Sequence, residues 1–306
     1  MKWKRGVRSR NVIDARGSTG RSGGSSGLRV PSGVAGIGGG AGLIVTLVVI
    51  AISVLGGGSG DGGSGFDLPG AFNGAVGAPG TENPQGIPAS EDPQADLKDF
   101  STYVFVDTQD VWQATLTDAG DDYEPAQLYL YSGSVRTNGC GSATSAVGPF
   151  YCPADQRVYL DLSFYGEMQR QLGASGDFAW AYVIAHEMGH HVQNVTGTSS
   201  RVDELTRENP ADANELSVRQ ELQADCYAGV WASTVFAEGD LESGDIDEAF
   251  NAAEAVGDDR LQKQAGGSVN PDSFTHGTSQ QRHAWFDRGY ESGEPADCDT
   301  FSTAEL

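Results

Sequence analysis

The chain has 306 residues, of which 42 are Asp or Glu and 19 are Lys or Arg, and its formal net charge at pH 7 is −23. Such an acidic surface repels nucleic-acid phosphates and excludes nucleic acid as a partner. The length is sufficient for one domain with a substantial hydrophobic core.

Charge and hydropathy change sharply near the start of the chain. Residues 1–30 hold eight Lys or Arg and one acidic residue, whereas no charged residue occurs between Arg29 and Asp61. Within that gap, residues 34–55 form an apolar stretch of 22 residues, which is long enough for one transmembrane helix. Positive charge before the span predicts a basic cytoplasmic tail over residues 1–33 and export of the remainder.

A cleaved signal peptide is the alternative to this single-pass membrane anchor. Small residues near 51–53 would suit cleavage, although the preceding basic region is unusually long for a signal peptide. The first interpretation gives a protein of the cell membrane with a cytoplasmic N-terminus, and the second gives a secreted protein. Both place the rest of the chain outside the cytoplasm.

Residues 56–96 are rich in Gly, Pro, Ser and Asp and contain few large apolar residues. This composition predicts a flexible linker, so the folded domain is expected to cover residues 97–306.

The domain combines strand-like and helical segments. Residues 103–106 and 127–131 have strand character, and residues 157–163 alternate between apolar and polar side chains. The last of these either lies in the core or forms a sheet edge along which an extended peptide could bind. The later half is mostly helical, including residues 246–264, so we expect an α+β fold with helices beside a small sheet.

Four cysteines all lie in the expected exported domain. An even number favours disulfides in an oxidising compartment, and four cysteines allow three pairings. We favour Cys140–Cys152, which closes a short loop, together with Cys226–Cys298. Free buried thiols are the alternative, with Cys226 as the best candidate.

The pentapeptide His186-Glu187-Met188-Gly189-His190 carries the strongest chemical signal. Apolar residues spaced three and four apart around it predict a helix. On a helix the two histidines share one face and bind one Zn²⁺, while the glutamate reaches the metal-bound water. The small residue between them would let another backbone approach closely. Two surface histidines on an ordinary helix are the alternative.

A second helix is predicted around Glu221 and Asp225, which are one turn apart among small and apolar neighbours. Carboxylates are rarely buried unless they are paired or bind a metal. A catalytic zinc site with two histidines and one glutamate keeps a position open for water. We therefore expect Glu221 to be the third ligand and Asp225 to support a ligand histidine or pair with an arginine. A solvated acidic stripe is the alternative.

Five segments together resemble the neutral zinc metallopeptidase family of bacteria, whose members have one N-terminal membrane span. These segments are residues 148–153, 186–193, 221–231, 275–282 and 298–301. The arrangement is also similar to the larger superfamily of membrane heat-shock and prenyl-protein proteases, with their zincin-like fold. That resemblance implies that Glu221 is the third zinc ligand and that Asp225 supports the site.

The superfamily often has a late His-Pro segment followed by an arginine, and the counterpart here is His276-Gly277 followed by Arg282, without the proline. His276 is the candidate for a donor to the oxyanion, with an ordinary loop histidine as the alternative. Arg282 is expected to pair with Asp225. His191 and His283 are not expected to bind the metal.

These observations predict a membrane-anchored zinc metallopeptidase that holds one Zn²⁺ per chain and cleaves proteins or peptides outside the cytoplasm. The zinc would lower the pKa of its water toward about 7, and Glu187 would act as general base. A catalytically inactive, peptidase-like binding module and a zinc hydrolase of a non-peptide substrate are the alternatives. The intact set of His186, Glu187, His190 and Glu221 weighs against the first of these.

Overall fold

A computed structural model describes residues 1–18, 84–304 and 306. The predicted membrane span at residues 34–55 and most of the predicted linker lie outside these described residues. Among the helices that are described, none is both long enough and apolar enough to cross a membrane.

A mixed four-stranded sheet forms one layer of the domain, in the order β1-β2-β6-β5. Its strands are β1 (Val12–Asp14), β2 (Gln127–Tyr131), β5 (Phe150–Cys152) and β6 (Arg157–Asp161). The first three strands in this order are parallel to one another, and β5 is antiparallel to β6. A separate antiparallel ribbon contains β3 (Ser134–Arg136) and β4 (Ser142–Thr144).

Helices form the rest of the domain and pack on the sheet through a shared apolar core. They are α1 (Ala95–Ala119), α2 (Phe164–Glu167), α3 (Asp177–Val195), α4 (Thr198–Glu208), α5 (Ala213–Glu238), α6 (Asp245–Ala255), α7 (Asp258–Gln264) and α8 (Ser279–Ser292). The described part of the chain is therefore an α+β structure with a small sheet and a majority of helix, as predicted.

The prediction of a strand at residues 103–106 was wrong, because this segment lies inside α1. Every fourth residue from Phe100 to Leu116 is buried, including Val104 and Trp112. A spacing of four residues places these side chains on one helix face. The apolar run is too short to distinguish a strand from a helix by itself.

The predicted helix at residues 246–264 is interrupted, since α6 ends at Ala255 and α7 begins at Asp258. Gly257 is extended there, and a Cβ on it would lie 2.3 Å from the backbone nitrogen of Ser279. The chain can therefore turn closely against the start of α8, which brings Asp258 to the loop that precedes that helix.

The strand within residues 157–163 is a core strand, because β6 lies between β2 and β5. The edge strand of the sheet on that side is β5, and all three of its residues are buried. Of the two alternatives for this segment, the structure therefore supports the core strand.

Both predicted disulfides are present. Cys140 and Cys152 have Cα atoms 6.0 Å apart, and Cys226 and Cys298 have Cα atoms 5.6 Å apart. The second bond ties the end of the chain to α5.

Residues 1–18 belong to the folded domain, whereas the sequence suggested a separate tail. Strand β1 pairs with β2, and the ring of Trp3 lies edge-on to Phe100 with centroids 5.4 Å apart. The fully buried side chain of Arg16 lies 2.8 Å from Asp14 and 2.6 Å from Asp92. Two positive charges of this segment, those of Arg5 and Arg16, thus pair with carboxylates of residues 92–96.

We expect Arg16→Ala to lower the free energy of unfolding by about 2 kcal/mol, because the buried carboxylate of Asp92 loses its charged hydrogen bonds and keeps only Lys98, at 3.4 Å, as a cationic partner. Arg5→Ala is the matched control, since Arg5 pairs with Asp96 at the surface, where both side chains are more than half exposed. We expect that change to cost less than about 1 kcal/mol. Urea unfolding of the full chain measures both values.

The pH dependence gives a second readout for the same pair. Burial would raise the pKa of Asp92, but its hydrogen bonds to Arg16 and to the backbone of Gln94 lower it. The stabilisation is therefore present above the ordinary carboxyl pKa of about 4 and is lost as the pH falls further. The difference between wild type and Arg16→Ala should shrink below that pH. Equal stability of the two chains at neutral pH would show that the N-terminal segment does not pack as described.

Candidate metal centre

Two crossing helices supply the candidate ligands, His186 and His190 from α3 and Glu221 from α5. They cross closely at Gly189, where a Cβ would lie 2.9 Å from the carbonyl oxygen of Ala224. The prediction that a small residue here admits another backbone is confirmed. A larger residue would push the two halves of the site apart.

The three predicted ligands bring their ligand atoms together, all within 4.8 Å of one another. The Nε2 atom of His186 lies 3.1 Å from Nε2 of His190 and 3.2 Å from Oε2 of Glu221. Nε2 of His190 lies 3.5 Å from Oε1 of Glu221. Ligand atoms at ordinary zinc distances around a tetrahedral ion are about 3.3 Å apart, so this spacing suits zinc.

The chemistry of the donors also suits a cation. Neither carboxylate oxygen of Glu221 has a well-formed hydrogen bond among the described residues, although the side chain is fully buried. Burial alone would raise the pKa of Glu221, but the neighbouring His190, His186 and His276 lower it to about 2. The group is thus an anion at neutral pH, as a metal ligand must be.

Glu187 lies beside these ligands in a different environment. It is 1 % exposed, and neither of its carboxylate oxygens has a hydrogen-bond partner of good geometry within the described chain. Burial raises its pKa to about 8, against the opposing charges of His186 and Arg282. At neutral pH this pKa keeps most of the group protonated, and the positive charge of a bound metal would lower the pKa toward the carboxylate form that can accept a proton.

Asp225 organises the side of the site that faces α8. Its Oδ1 lies 2.8 Å from Nδ1 of His186 and accepts a hydrogen bond from the Tyr182 hydroxyl at 2.5 Å. Arg282 donates to both carboxylate oxygens at 2.8 Å, which is the predicted pairing. Burial would raise the pKa of Asp225, but the charges of Arg282 and His186 hold it well below its usual range.

His190 has a neutral partner instead of a carboxylate. Its Nδ1 lies 2.8 Å from Oε1 of Gln193, which is on the same helix. The roles of Gln193 and Tyr182 were not predicted from the sequence. Their positions were the signal available in the sequence. Gln193 comes three residues after His190 and Tyr182 four residues before His186, so each shares a helix face with its histidine.

His276 is held at the site by Asp258, which the sequence analysis also missed. The carboxylate of Asp258 accepts hydrogen bonds from the backbone amides of Thr275, His276 and Gly277 at 2.8, 2.7 and 3.1 Å. Its other oxygen lies 3.3 Å from Nδ1 of His276. Burial would lower the pKa of His276, but Asp258 and the charge of Glu221 raise it.

Exposure at the site is confined to one side. The side chains of His190 and His276 are 4 % and 9 % exposed, whereas those of His186 and Glu221 are 0 % exposed. The small exposed fraction of the site is therefore at His190 and His276.

The remaining histidines lie outside the ligand cluster, as expected. His191 contacts the hydroxyl of Tyr151 at 3.0 Å and the backbone oxygen of Glu124 at 2.8 Å, and burial lowers its pKa to about 4. His283 stacks on Phe250 with ring centroids 3.9 Å apart.

Comparison with known families identifies one that matches almost the whole chain. A family described as "Putative neutral zinc metallopeptidase" matches residues 1–301. The chain belongs to this family of metallopeptidases. The match includes the N-terminal segment, and the family name implies zinc as the metal.

Two relatives show how far the likeness extends. The metallopeptidase chain is 46 % identical to YpfJ of Escherichia coli strain K12 over 303 residues, which covers 98 % of this chain and 99 % of that protein. It is 47 % identical over 207 residues to Rv2575 of Mycobacterium tuberculosis strain H37Rv, covering 64 % of this chain and 68 % of the relative. Both relatives are described as uncharacterized. No solved structure gives a significant match.

Proposed function

We propose that this chain hydrolyses peptide bonds with one zinc ion held by His186, His190 and Glu221. The observation that carries the proposal is the convergence of three ligand atoms within 4.8 Å, beside a buried Glu187 that has no hydrogen bond of good geometry in the described part of the chain. Zinc bound there would polarise the scissile carbonyl and lower the pKa of a water molecule.

Glu187 is the general base in this proposal. Its two oxygens have no competing hydrogen bond of good geometry among the described residues, so either oxygen can accept a proton from water. Because the side chain is buried, the proton is held near the reacting atoms and can pass to the leaving amine.

His276 is the proposed donor to the oxyanion. Its side chain is 9 % exposed, more than those of the three ligands, and its pKa is raised by Asp258 and Glu221. Asp258 fixes the histidine by binding both its backbone amide and its ring. A donor that is held before substrate arrives needs no reorganisation during the reaction.

We also propose that the enzyme works outside the cytoplasm. The two disulfides support this location, because such bonds persist in oxidising compartments. Residues 1–18 pack on the domain, so a single crossing by residues 34–55 would separate parts that contact each other. We therefore propose that residues 1–18 and the domain are on the same, exported side.

The catalytic assignment predicts that Glu187→Gln binds zinc stoichiometrically but lowers kcat by about 10²–10⁴-fold, because it removes the proton acceptor. Metal analysis and casein hydrolysis, with and without a chelator, measure the two properties. Glu204→Gln, an exposed change on α4, is the matched control and should leave both unaltered.

Three outcomes would contradict this assignment. Turnover that survives in Glu187→Gln would rule out the general base. Zinc-loaded wild type that cleaves no peptide would favour a binding module, and cleavage confined to a non-peptide substrate would favour another hydrolase.

We expect His276→Gln to lower kcat by about 10²–10³-fold, as the loss of an oxyanion donor does, while zinc binding is retained. His283→Gln is the matched control, because His283 contacts Phe250 and Glu254 away from the ligand cluster. Steady-state kinetics on the zinc-loaded chains gives the comparison. Equal kcat for the two variants would show that His276 is an ordinary loop histidine and does not stabilise the oxyanion.

The membrane topology predicts that a cysteine replacing the exposed Lys4 reacts with a membrane-impermeant maleimide in intact spheroplasts. Glu204→Cys reports on the side occupied by the domain. Labelling of both supports the same-side arrangement. Labelling of Glu204→Cys alone, with Lys4→Cys reacting only after lysis, would place the N-terminus in the cytoplasm and refute it.

A further inference from the structure

His190 is oriented by a buried chain of amide side chains. Oε1 of Gln193 lies 2.8 Å from Nδ1 of His190, while its Nε2 donates to the backbone oxygen of Gln220 at 2.7 Å. The same Nε2 also donates to Oε1 of Gln223 at 3.1 Å. Gln193 is 0 % exposed and Gln223 is 6 % exposed, so water does not compete freely for these bonds.

The direction of the hydrogen bonds between these amide side chains follows from the acceptor at one end. A backbone carbonyl can only accept, so the oxygen of Gln220 requires the NH₂ group of Gln193. The oxygen of that amide must then face His190, and it can accept only from a protonated Nδ1. A neutral imidazole has one N–H, so its lone pair is left on Nε2. Nε2 is the atom that faces His186 and Glu221.

A second carbonyl reinforces the same direction. Nε2 of Gln223 donates to the backbone oxygen of Cys298 at 3.0 Å, which turns Oε1 of Gln223 toward Gln193. Cys298 is held in place by its disulfide to Cys226, which is on the same helix as Gln223. The carbonyl of Cys298 thereby contributes to the orientation of His190 through three successive hydrogen bonds.

We propose that Gln193 is a positioning residue that holds His190 in its Nδ1–H tautomer and leaves Nε2 free for zinc, with Gln223 and the carbonyl of Cys298 fixing the amide. This inference deepens the proposed function and rests on its ligand set. A neutral partner is suited to this position, because the centre already contains the carboxylates of Glu221 and Asp225.

The test measures zinc affinity and the histidine tautomer without using turnover. We expect long-range ¹H–¹⁵N NMR of the zinc-free wild type to show His190 as the Nδ1–H tautomer. Gln193→Leu should lose that preference and weaken zinc binding by about 10–100-fold in competition with a chromogenic chelator. Gln262→Leu is the matched control, since its side chain donates to Ser273 away from the ligand cluster.

Wild-type zinc affinity in Gln193→Leu, or an unchanged Nδ1–H tautomer in that variant, would overturn the inference. If Gln193→Leu does not fold, the wild type still decides, because an Nε2–H tautomer of His190 in the zinc-free chain contradicts the inference. Failure of the wild type to bind zinc would instead refute the proposed function. The tautomer measurement distinguishes the two failures.

Discussion

The buried pair between Asp225 and Arg282 is the interaction on which the metal centre depends. It joins α5 to α8, and Asp225 also contacts Tyr182 and His186 on α3, so one carboxylate links three helices. Taking both charges out of water is costly, and only the complete set of hydrogen bonds offsets that cost. Without the guanidinium, Asp225 would add an uncompensated negative charge to a site that already contains Glu187 and Glu221. The pair thus permits a carboxylate-rich ligand set inside a protein core.

The environments of Glu187 and Glu221 separate two chemically identical groups into two roles. Both are buried, yet the pKa is raised to about 8 for Glu187 and lowered to about 2 for Glu221, where three histidines oppose the effect of burial. An anion surrounded by imidazoles is suited to bind a cation, and a buried carboxyl group with a pKa near neutral pH is suited to exchange protons. Such separation of pKa values is how a fold assigns a ligand and a base. The two histidine ligands differ in a similar way, since His186 faces a carboxylate and His190 faces an amide.

The parts of the site that the sequence predicted are those with local spacing. His186 and His190 are four residues apart on one helix, and Glu221 and Asp225 repeat that spacing on another, so helical geometry alone pairs them. Partners that folding brings from elsewhere carry no such signal. Asp258 lies 18 residues before His276, and a broken helix places it there. Similarly, strand β1 has only three residues, which is too short for an alternating pattern to reveal. The disulfides were predictable because four cysteines allow few pairings.

The basic N-terminal segment illustrates how one composition supports two physical explanations. Positive charge before an apolar stretch is typical of a cytoplasmic tail. In the structure, however, Arg16 is buried between Asp14 and Asp92, and Arg5 pairs with Asp96, so the same charges bind an acidic domain. The same basic residues therefore have a second physical explanation, because a strand of this segment pairs with β2 and the Arg16 guanidinium needs a buried carboxylate to offset its desolvation.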